Sequence, residues 1–338
     1  MIIKFLGTAA GGGFPQWNCS CFNCESVRQN KKGFTARRQS SVALLSSSVR
    51  EVIRSSEAGG SYGGEGQSVG LQQLSIETSS KFDKNWVLIN ASPDLREQMT
   101  DLSSQFGPRP RQTNLKGVVL VDAQLDHAGG LFLMRENESP LPIYATFQVH
   151  EDLTHHHSLL KLLDSYCGST WTEISLSGEP FKVADFPDAE FFPIAVPSKA
   201  PPYSPRRNKE SGGETIALRI LSVKTGKSAL YAPGIEKWTV ELEKHAAESD
   251  VLIVEGTCWE DGDLKKTRCR EKLGSEMGHL YLNGENGLLS VLSKFPDKRK
   301  ILVHINNTNP ILNENGPEHA ACIKAGVEVG VDGMEIHL

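Results

Sequence analysis

Short runs of apolar residues recur along the chain at the length typical of β-strands. Several are apolar on both faces, as expected for central strands covered on each side. Helical periodicity lies between them, at Trp238–Glu248, Gly287–Lys294 and Glu318–Ala325. Because strands and helices are distributed from end to end, the pattern predicts one layered α/β domain. The clearest strand runs are Ile2–Leu6, Ser41–Leu45, Trp86–Asn90, Gly117–Val121, Ile143–Ala145, Ala217–Leu221, Ser228–Ala232, Val251–Val254, Ile301–His304 and Glu328–Val329.

One segment, Ser46–Lys81, departs from this pattern. It contains a stretch rich in glycine and serine and has too little apolar surface to order itself. Since it falls between two strand runs, we predict a long loop inserted into a hairpin, without a chemical role. The sequence therefore predicts a single domain over residues 1–338 with a flexible insertion at about 46–81.

Composition narrows the class of protein. Hydrophobic residues make up 38% of the chain and charged residues 23%, with a net charge of -5, as in ordinary soluble globular proteins. A nucleic-acid partner would need a concentrated basic face, which a mildly acidic chain does not suggest. No apolar run approaches the roughly 18–20 residues that span a bilayer, and the first residues lack the features of a signal peptide. We therefore predict a cytoplasmic protein that binds neither membranes nor nucleic acid.

Three of the seven cysteines, Cys19, Cys21 and Cys24, lie close together. Without an export signal, clustered cysteines indicate metal binding more than disulfides. Their thiolates can converge on one structural Zn²⁺ at about 2.3 Å, and a tetrahedral site then needs one more ligand from elsewhere. Isolated cysteines are usually small buried hydrophobes. We expect that of the other four, which are Cys167, Cys258, Cys269 and Cys322.

A glycine-rich segment, Gly7–Trp17, directly follows the first strand run. A dinucleotide-binding fingerprint would open a helix, whereas this segment leads to Phe14 and Pro15, which excludes that interpretation. Two alternatives stay open: a tight loop that packs under an active site, or a loop that contacts a ligand directly.

Polar side chains follow two of the apolar strand runs. Asp126 and His127 come after Val118–Val121, and an adjacent carboxylate and imidazole can bind one metal ion together. His304 ends another apolar run, whereas His279 lies in a Met-Gly-His-Leu segment. A lone histidine is more often a core or surface residue, but placement at a strand end favours function. The run of three histidines at 155–157 predicts a solvated helix face, because consecutive helical residues point in different directions.

Longer motifs are similar to those of the PQQ (pyrroloquinoline quinone) synthesis protein B family over nearly the whole chain. They are Gly-Thr-Ala-Ala-Gly-Gly-Gly-Phe-Pro-Gln-Trp-Asn-Cys at 7–19, Asn-Ala-Ser-Pro-Asp-Leu at 90–95, Ala-Pro-Pro-Tyr-Ser-Pro at 200–205, Tyr-Ala-Pro-Gly at 231–234, Glu-Gly-Thr-Cys-Trp-Glu-Asp at 255–261, Met-Gly-His-Leu at 277–280, His-Ile-Asn-Asn-Thr-Asn-Pro-Ile-Leu at 304–312 and Val-Asp-Gly-Met-Glu-Ile at 331–336. The insertion and the three histidines fall outside these motifs.

This resemblance implies a metallo-β-lactamase fold, an αββα sandwich of two facing β-sheets with helices outside and metal bound at the strand ends. Hydrolases of that superfamily carry His-x-His-x-Asp-His and bind two metal ions. The aligned segment here is Asp-Ala-Gln-Leu-Asp-His at 122–127, so the first two histidines are replaced. The strand that would supply a bridging aspartate ends in Tyr-Ala-Pro-Gly at 231–234. Both departures argue against two-metal hydrolysis.

The resemblance further implies hydroxylation of the tyrosine ring of a crosslinked Glu–Tyr precursor of PQQ, with O₂ as co-substrate. Two histidines and one carboxylate form the ligand triad of non-haem Fe(II) enzymes, and we predict Asp126, His127 and His279 as the ligands of Fe²⁺. Asp122, Gln124 and His304 are predicted as catalytic hydrogen-bond partners or proton donors around the ion. His304 is also an alternative iron ligand.

Other residues are predicted to bind substrate or zinc. Ser92 and Asp94 follow a strand run and are expected at the rim of the same site. Arg206 and Arg207 are predicted to bind substrate carboxylates in bidentate fashion, with two merely exposed arginines as an equal alternative. The fourth zinc ligand stays open, since related hydrolases use a histidine where this chain has Asn307.

Two other functions compete with hydroxylation. The first is a metal-dependent hydrolase, such as a phosphodiesterase or a peptidase acting on the precursor. The second is a carrier of PQQ or its precursor for transport. Under each, the expected partners are the precursor or PQQ itself and other PQQ-biosynthesis proteins, with a homodimer as a further possibility.

Overall fold

The computed structural model describes residues 1–46, 85–102, 112–209 and 212–338. Apart from Ser46, the predicted insertion lies outside these ranges. Within the described ranges, no helix has both the length and the apolar character that crossing a membrane requires. The strands are β1 (Ile2–Gly7), β2 (Ser41–Leu45), β3 (Trp86–Ile89), β4 (Leu115–Val119), β5 (Leu141–Ala145), β6 (Ser169–Glu173), β7 (Ala189–Ala195), β8 (Ile216–Ser222), β9 (Ser228–Ala232), β10 (Val251–Glu255), β11 (Arg299–Val303), β12 (Val327–Val329) and β13 (Glu335–His337).

The helices are short and lie mostly between strands. The three helical predictions correspond to α6, α9 and α10; α6 and α9 are shorter than predicted by a few residues, and α10 has the predicted length but begins one residue earlier. The histidines at 155–157 are exposed, as predicted. The α-helices are α1 (Phe22–Arg28), α2 (Leu95–Thr100), α3 (Leu125–Ala128), α4 (Phe147–Glu151), α5 (Leu159–Leu163), α6 (Val240–Ala247), α7 (Asp263–Lys266), α8 (Gly274–Met277), α9 (Leu288–Leu292) and α10 (Pro317–Lys324).

Helix α6 shows how local sequence sets these elements. Thr239 precedes it, and its side-chain oxygen accepts a hydrogen bond from the Leu242 backbone N–H at 3.1 Å. Such a cap satisfies one of the free N–H groups at a helix start. Leu242 and Ala246, four residues apart, are the buried positions of this helix, so a single apolar face packs against the sheet.

The first sheet has the strand order β13-β1-β2-β3-β4-β5-β6. Strand β2 pairs with β3 in antiparallel register, from Val42 opposite Ile89 to Leu45 opposite Trp86, which confirms the predicted hairpin relationship of these two strands. From β3 to β6 the pairing is parallel, so the carboxyl ends of these strands meet at one edge of the sheet.

The second sheet has the order β12-β11-β10-β9-β8-β7. Strands β9 to β12 are parallel, whereas β7, β8 and β9 pair in antiparallel fashion. The carboxyl ends of β10 and β11 are therefore adjacent, and each is followed directly by polar residues.

The apolar core divides into three layers, which together confirm the predicted α/β fold with two facing sheets and helices outside. A central cluster, including Phe5, Phe191 and Tyr231, joins the two sheets. A second cluster lies between the second sheet and its helices, and a third covers the outer face of the first sheet. Burial on both faces explains why the central strands are apolar throughout.

Candidate metal centre

Potential metal ligands from both sheets meet where strands end. Asp126 and His127 lie in α3 shortly after β4, Glu255 ends β10, and His304 directly follows β11. His279 comes from the turn after α8. Asp126, His279 and His304 line two adjoining cavities of about 500 and 270 Å³. The sequence motifs separated by up to 178 residues therefore form one site.

His127 is held by one carboxylate and faces another. Its Nδ1 donates to Asp122 at 2.8 Å, whereas its Nε2 is buried and has no hydrogen-bond partner among the described residues. That Nε2 lies 4.0 Å from Asp126 Oδ2. Burial alone would lower the pKa of His127, but the charges of Asp122 and Asp126 raise it.

His304 lies on the other side of Asp126. Its Nε2 is 3.3 Å from Asp126 Oδ2, and its Nδ1 is 2.9 Å from the Thr257 hydroxyl, which in turn donates to Glu255. Burial would lower the pKa of His304, but Asp126 and Glu255 raise it to about 10. Conversely, burial would raise the pKa of Asp126, and the two histidines hold it well below its usual range.

Glu255 is fully buried and orients His279. It accepts hydrogen bonds from His279 Nδ1 at 2.9 Å, from the Ile235 backbone N–H at 3.1 Å and from the Thr257 backbone N–H at 2.9 Å. Burial would raise the pKa of Glu255, but His279 and His304 lower it to about 2. Because both oxygens of Glu255 already accept hydrogen bonds, we regard this carboxylate as a positioning group.

The side chains fit a divalent metal ion. The ligand atoms of Asp126, His127 and His304 all lie within 4.8 Å of one another, and those of Glu255, His279 and His304 form a second such group. Histidines that bind metals usually donate their other ring N–H to a carboxylate or similar acceptor. His127 and His279 do so directly, and His304 does so through Thr257. The buried Nε2 of His127, which has no hydrogen-bond partner among the described residues, is a second observation that fits a bound metal ion. Of the predicted iron ligands, Asp126 and His127 lie together, and His304 rather than His279 is beside them.

The two residues that replace the first histidines of the hydrolase motif are engaged elsewhere. Asp122 accepts from His127 and from the Gln124 backbone N–H at 2.8 Å. The Gln124 side chain donates to the Lys199 carbonyl at 2.9 Å. After β9, Gly234 lines the smaller cavity and brings no carboxylate. The ligands of a first hydrolase-type metal are therefore missing here.

The glycine-rich loop packs directly against the ligands. A Cβ at Gly11 would lie only 3.1 Å from Asp126 Oδ2, so the backbone approaches this carboxylate more closely than a side chain would permit. Ile305 donates to the Thr8 carbonyl and accepts from the Ala10 N–H, both at 2.9 Å. These bonds hold the residue next to His304, whose φ of 56° lies in the left-handed region, a conformation that persists only where the surroundings support it. The loop thus packs under the site, and Gly11 also lines the larger cavity.

The predicted zinc ligands form a separate cluster at the edge of the larger cavity. Asn307 Nδ2 lies 3.1 Å from Cys19 Sγ and 3.3 Å from Cys24 Sγ, so the amide sits among the thiols. A hydrogen bond from Cys21 lowers the pKa of the Cys24 thiol and raises that of Cys21. Thiols that share a proton in this way are suited to Zn²⁺, which binds thiolates.

Cys269 was expected to be a buried hydrophobe, and this prediction is wrong. Its side chain is exposed, and its sulfur joins those of Cys19 and Cys21 in a group whose members are all within 4.8 Å. This contact could hardly be predicted from sequence, because 250 residues separate Cys19 from Cys269.

The prediction that Ser92 and Asp94 line the substrate rim is also wrong. Ser92 is fully buried and donates to the Gln98 side chain at 3.0 Å. Asp94 accepts from the Gln39 backbone N–H at 2.7 Å and lines a different cavity of about 640 Å³. The chain turns into α2 directly after this motif, so both side chains bond to nearby residues and neither lines the two cavities beside the metal ligands.

Arg206, predicted to bind substrate, lines neither of the two cavities beside the metal ligands. Its guanidinium contacts Glu151 and pairs with Asp152 at 2.7 Å, and it also donates to the Gln148 carbonyl at 2.9 Å. It therefore connects α4 and the turn that follows to the loop after β7. Arg207, by contrast, lines the smaller cavity beside the metal ligands, and its role in substrate binding stays a prediction.

We expect Arg206→Met to lower the free energy of unfolding by about 2 kcal/mol, because it leaves the carboxylate of Asp152 buried without its cation. Chemical denaturation monitored by circular dichroism measures this. Arg96→Met, at an exposed position, is the matched control and should change stability little. Equal stability of the two variants would contradict the structural role of Arg206.

Three cationic side chains that sequence analysis did not single out lie with Arg207 around the metal ligands. Arg270 lines both cavities, Arg268 the larger one, and Lys272 the smaller one together with Arg207. Within the described ranges, no ion pair joins any of these four to a carboxylate. In a chain with a net charge of -5, such a concentration of unpaired positive charge marks the cavity mouth as a site for an anionic ligand. We call these four residues the cationic rim.

Comparison with known proteins shows the family and the fold. Residues 85–305 match the Beta-lactamase superfamily domain. The chain is 39% identical over 340 residues to coenzyme PQQ synthesis protein B of Pseudomonas savastanoi, covering 100% of both, and 38% identical over 339 residues to that of Acinetobacter baumannii, again covering 100% of both. Zn²⁺-bound PqqB from Methylobacterium extorquens has a TM-score of 0.79 at 28% identity, covering 100% of both chains. A diphosphatase from the PhnP family shares the fold, with a TM-score of 0.63, 17% identity and coverage of 100% and 97%.

Proposed function

Since the chain belongs to the coenzyme PQQ synthesis protein B family, within the β-lactamase superfamily, we propose that it hydroxylates the tyrosine ring of a crosslinked Glu–Tyr precursor with Fe(II) and O₂. A role in PQQ biosynthesis follows from family membership. The reaction is our inference from the metal ligands and the cavity. Its balance takes one O₂, two electrons from an external reductant and two protons, and gives the ring hydroxyl and water.

The ligand set carries this proposal. Asp126, His127 and His304 offer two imidazoles and one carboxylate within 4.8 Å of one another, a combination typical of single Fe(II) sites with open positions. Bound iron would supply the one-electron chemistry that lets O₂ react with an aromatic ring. We propose His304 as the third ligand in place of His279, because its Nε2 lies 3.3 Å from Asp126.

The surrounding groups hold the ligands in position. Asp122 fixes His127 through Nδ1, and Glu255 fixes His304 through the Thr257 hydroxyl. Each ring is thereby held in the tautomer that presents Nε2 to the ion. Because Asp122 and Gln124 are engaged in hydrogen bonds, the site favours one metal over the pair that a hydrolase of this fold requires.

His279 is proposed as the acid–base group. Glu255 binds its Nδ1–H at 2.9 Å, which leaves Nε2 free to accept a proton from the phenol of the substrate. The His279 and His304 rings are 5.3 Å apart, so a substrate ring beside the metal site would be within reach of His279.

The cationic rim accounts for recognition of the precursor. A glutamate–tyrosine adduct carries carboxylates, and arginine binds carboxylates with paired, charge-assisted hydrogen bonds. Arg207 and Arg270 line the cavity that also contains His127 and His304. The aromatic ring would then enter between the cations and the metal ligands.

Single-turnover chemistry tests this function. The protein would be purified without oxygen, its iron and zinc counted per chain, and a crosslinked Glu–Tyr peptide then supplied with Fe(II), a reductant and O₂. We expect one iron at the Asp126 site and a product heavier by one oxygen atom on the tyrosine ring. Two metal ions at that site with hydrolysis in the absence of O₂ would establish the hydrolase instead. Tight binding of the mature quinone without turnover would establish the carrier.

A further inference from the structure

Cys269 lies in an irregular segment, residues 267–272, between α7 and α8. Every residue of this segment is exposed, so it lacks the buried apolar contacts that normally hold a loop in place. Free cysteines are among the most buried side chains in proteins, and an exposed thiol turned towards another thiol is therefore unusual. The Cys19 and Cys269 sulfurs are 3.7 Å apart, beyond the roughly 2.05 Å of a disulfide.

That separation is the one a shared zinc ion would require. With Zn–S bonds of about 2.3 Å, two sulfurs of a tetrahedral site lie about 3.8 Å apart. The Cys19, Cys21 and Cys269 sulfurs are all within 4.8 Å of one another, and Asn307 Nδ2 connects Cys19 to Cys24 through contacts of 3.1 and 3.3 Å.

We propose that Cys269 is the fourth thiolate of the zinc site, completing the set of Cys19, Cys21 and Cys24. Asn307, at the position where related hydrolases have a histidine, then donates hydrogen bonds to the thiolates and is not itself a ligand. This inference rests on the predicted structural zinc and is independent of the proposed hydroxylation.

A zinc ion bound to Cys269 would also hold the neighbouring residues of the segment in place. The residues on either side of Cys269 are Arg268 and Arg270, and both line the larger cavity beside Asp126 and His304. A zinc–sulfur bond at Cys269 therefore anchors these two members of the cationic rim beside the metal centre. Hydrogen bonds to α7 also hold the start of the segment: Thr267 and Arg268 donate to the Asp263 and Lys265 carbonyls, and the N–H groups of Cys269 and Arg270 donate to the Leu264 carbonyl at 3.0 and 3.3 Å.

Zinc X-ray absorption and zinc affinity of Cys269→Ser test the assignment. Wild type is expected to show all four ligands as sulfur, and the variant one sulfur fewer. The zinc dissociation constant of the variant, measured by competition with a chromophoric chelator, should rise at least about tenfold. Even the loss of a residue that only hydrogen-bonds to a metal ligand typically weakens metal affinity by that much. Cys167→Ser, a half-buried thiol outside the cluster, is the matched control and should change neither quantity.

Limited proteolysis with trypsin tests the anchoring role. The segment carries Arg268, Arg270 and Lys272, and we expect cleavage there to accelerate in Cys269→Ser or after zinc removal, but not in Cys167→Ser. An unchanged sulfur count and zinc affinity in Cys269→Ser, or a wild type that takes up no zinc at this cluster, would overturn the proposal. Loss of zinc with cleavage unchanged would overturn the anchoring role alone. None of these outcomes depends on oxygen chemistry, so the proposed function is tested separately.

Discussion

Replacement of His304 by asparagine is expected to abolish iron binding in the catalytic cavity and to lower turnover by at least about 10³-fold. Asparagine tolerates the left-handed backbone at this position, where φ is 56°. Its amide nitrogen can still reach Thr257 in place of Nδ1, so the variant removes chiefly Nε2, the atom that faces Asp126. Loss of a metal ion that activates a reactant removes several kcal/mol of transition-state stabilisation, and each 1.36 kcal/mol is about tenfold in rate. Iron content per chain and single-turnover rate measure the effect.

Two further variants distinguish the metal ligand from the acid–base group. His279→Asn should keep its iron and lose about 10²- to 10⁴-fold in rate, the usual contribution of general acid–base catalysis. His156→Asn, at an exposed position, should behave as wild type. If His279→Asn lost iron while His304→Asn kept it, His279 would be the third ligand, as the sequence alone had suggested.

The second large effect is expected at the cationic rim. The double variant Arg270→Gln/Lys272→Gln should raise KM for a carboxylate-bearing precursor by about 10²-fold, with a smaller change in kcat and unchanged iron content. Hydrogen bonds to charged groups contribute about 1.5–3 kcal/mol each, and solvent screening at this open mouth reduces each to roughly a tenfold effect. Steady-state kinetics at low and high salt measure this, and the KM of wild type should rise with ionic strength.

Lys265→Gln provides the control, because Lys265 is exposed in the preceding helix and lines neither cavity. It should leave KM unchanged at both salt concentrations. An unaltered KM in the double variant would show that these cations do not contact the substrate, and would weaken the assignment of an anionic ligand to the cavity.

The central strands could be predicted from apolar runs because both of their faces are buried. Three strands escaped prediction, β6, β7 and β13, and each lies at the edge of a sheet. In β6 the residues are half-buried or exposed throughout, which leaves no apolar run to recognise. Strand β7 contains Pro193, a residue that sheets accept at edges, and this proline obscured the pattern.

The metal ligands could be predicted where they end an apolar strand within a motif. The same rule would have identified Glu255, a charged residue that closes the fully buried run Val251–Glu255, and its omission was avoidable. Cys269 and Arg270 could not be found in this way, since they lie in an irregular exposed segment and meet the site only through the fold. The prediction for Ser92 and Asp94 was wrong for the opposite reason. Their motif is conspicuous in the sequence, but these two side chains make local packing and hydrogen-bond contacts.

The metal ligands come from both halves of the sandwich, with Asp126 and His127 after β4 of one sheet and His304 after β11 of the other. An ion at this position resists separation of the sheets, so its binding energy adds to the thermodynamic stability of the whole domain. At a metal concentration 100 times the dissociation constant, the gain is about 2.7 kcal/mol. Under the proposed function, removal of iron would then leave a less stable chain that is more readily degraded.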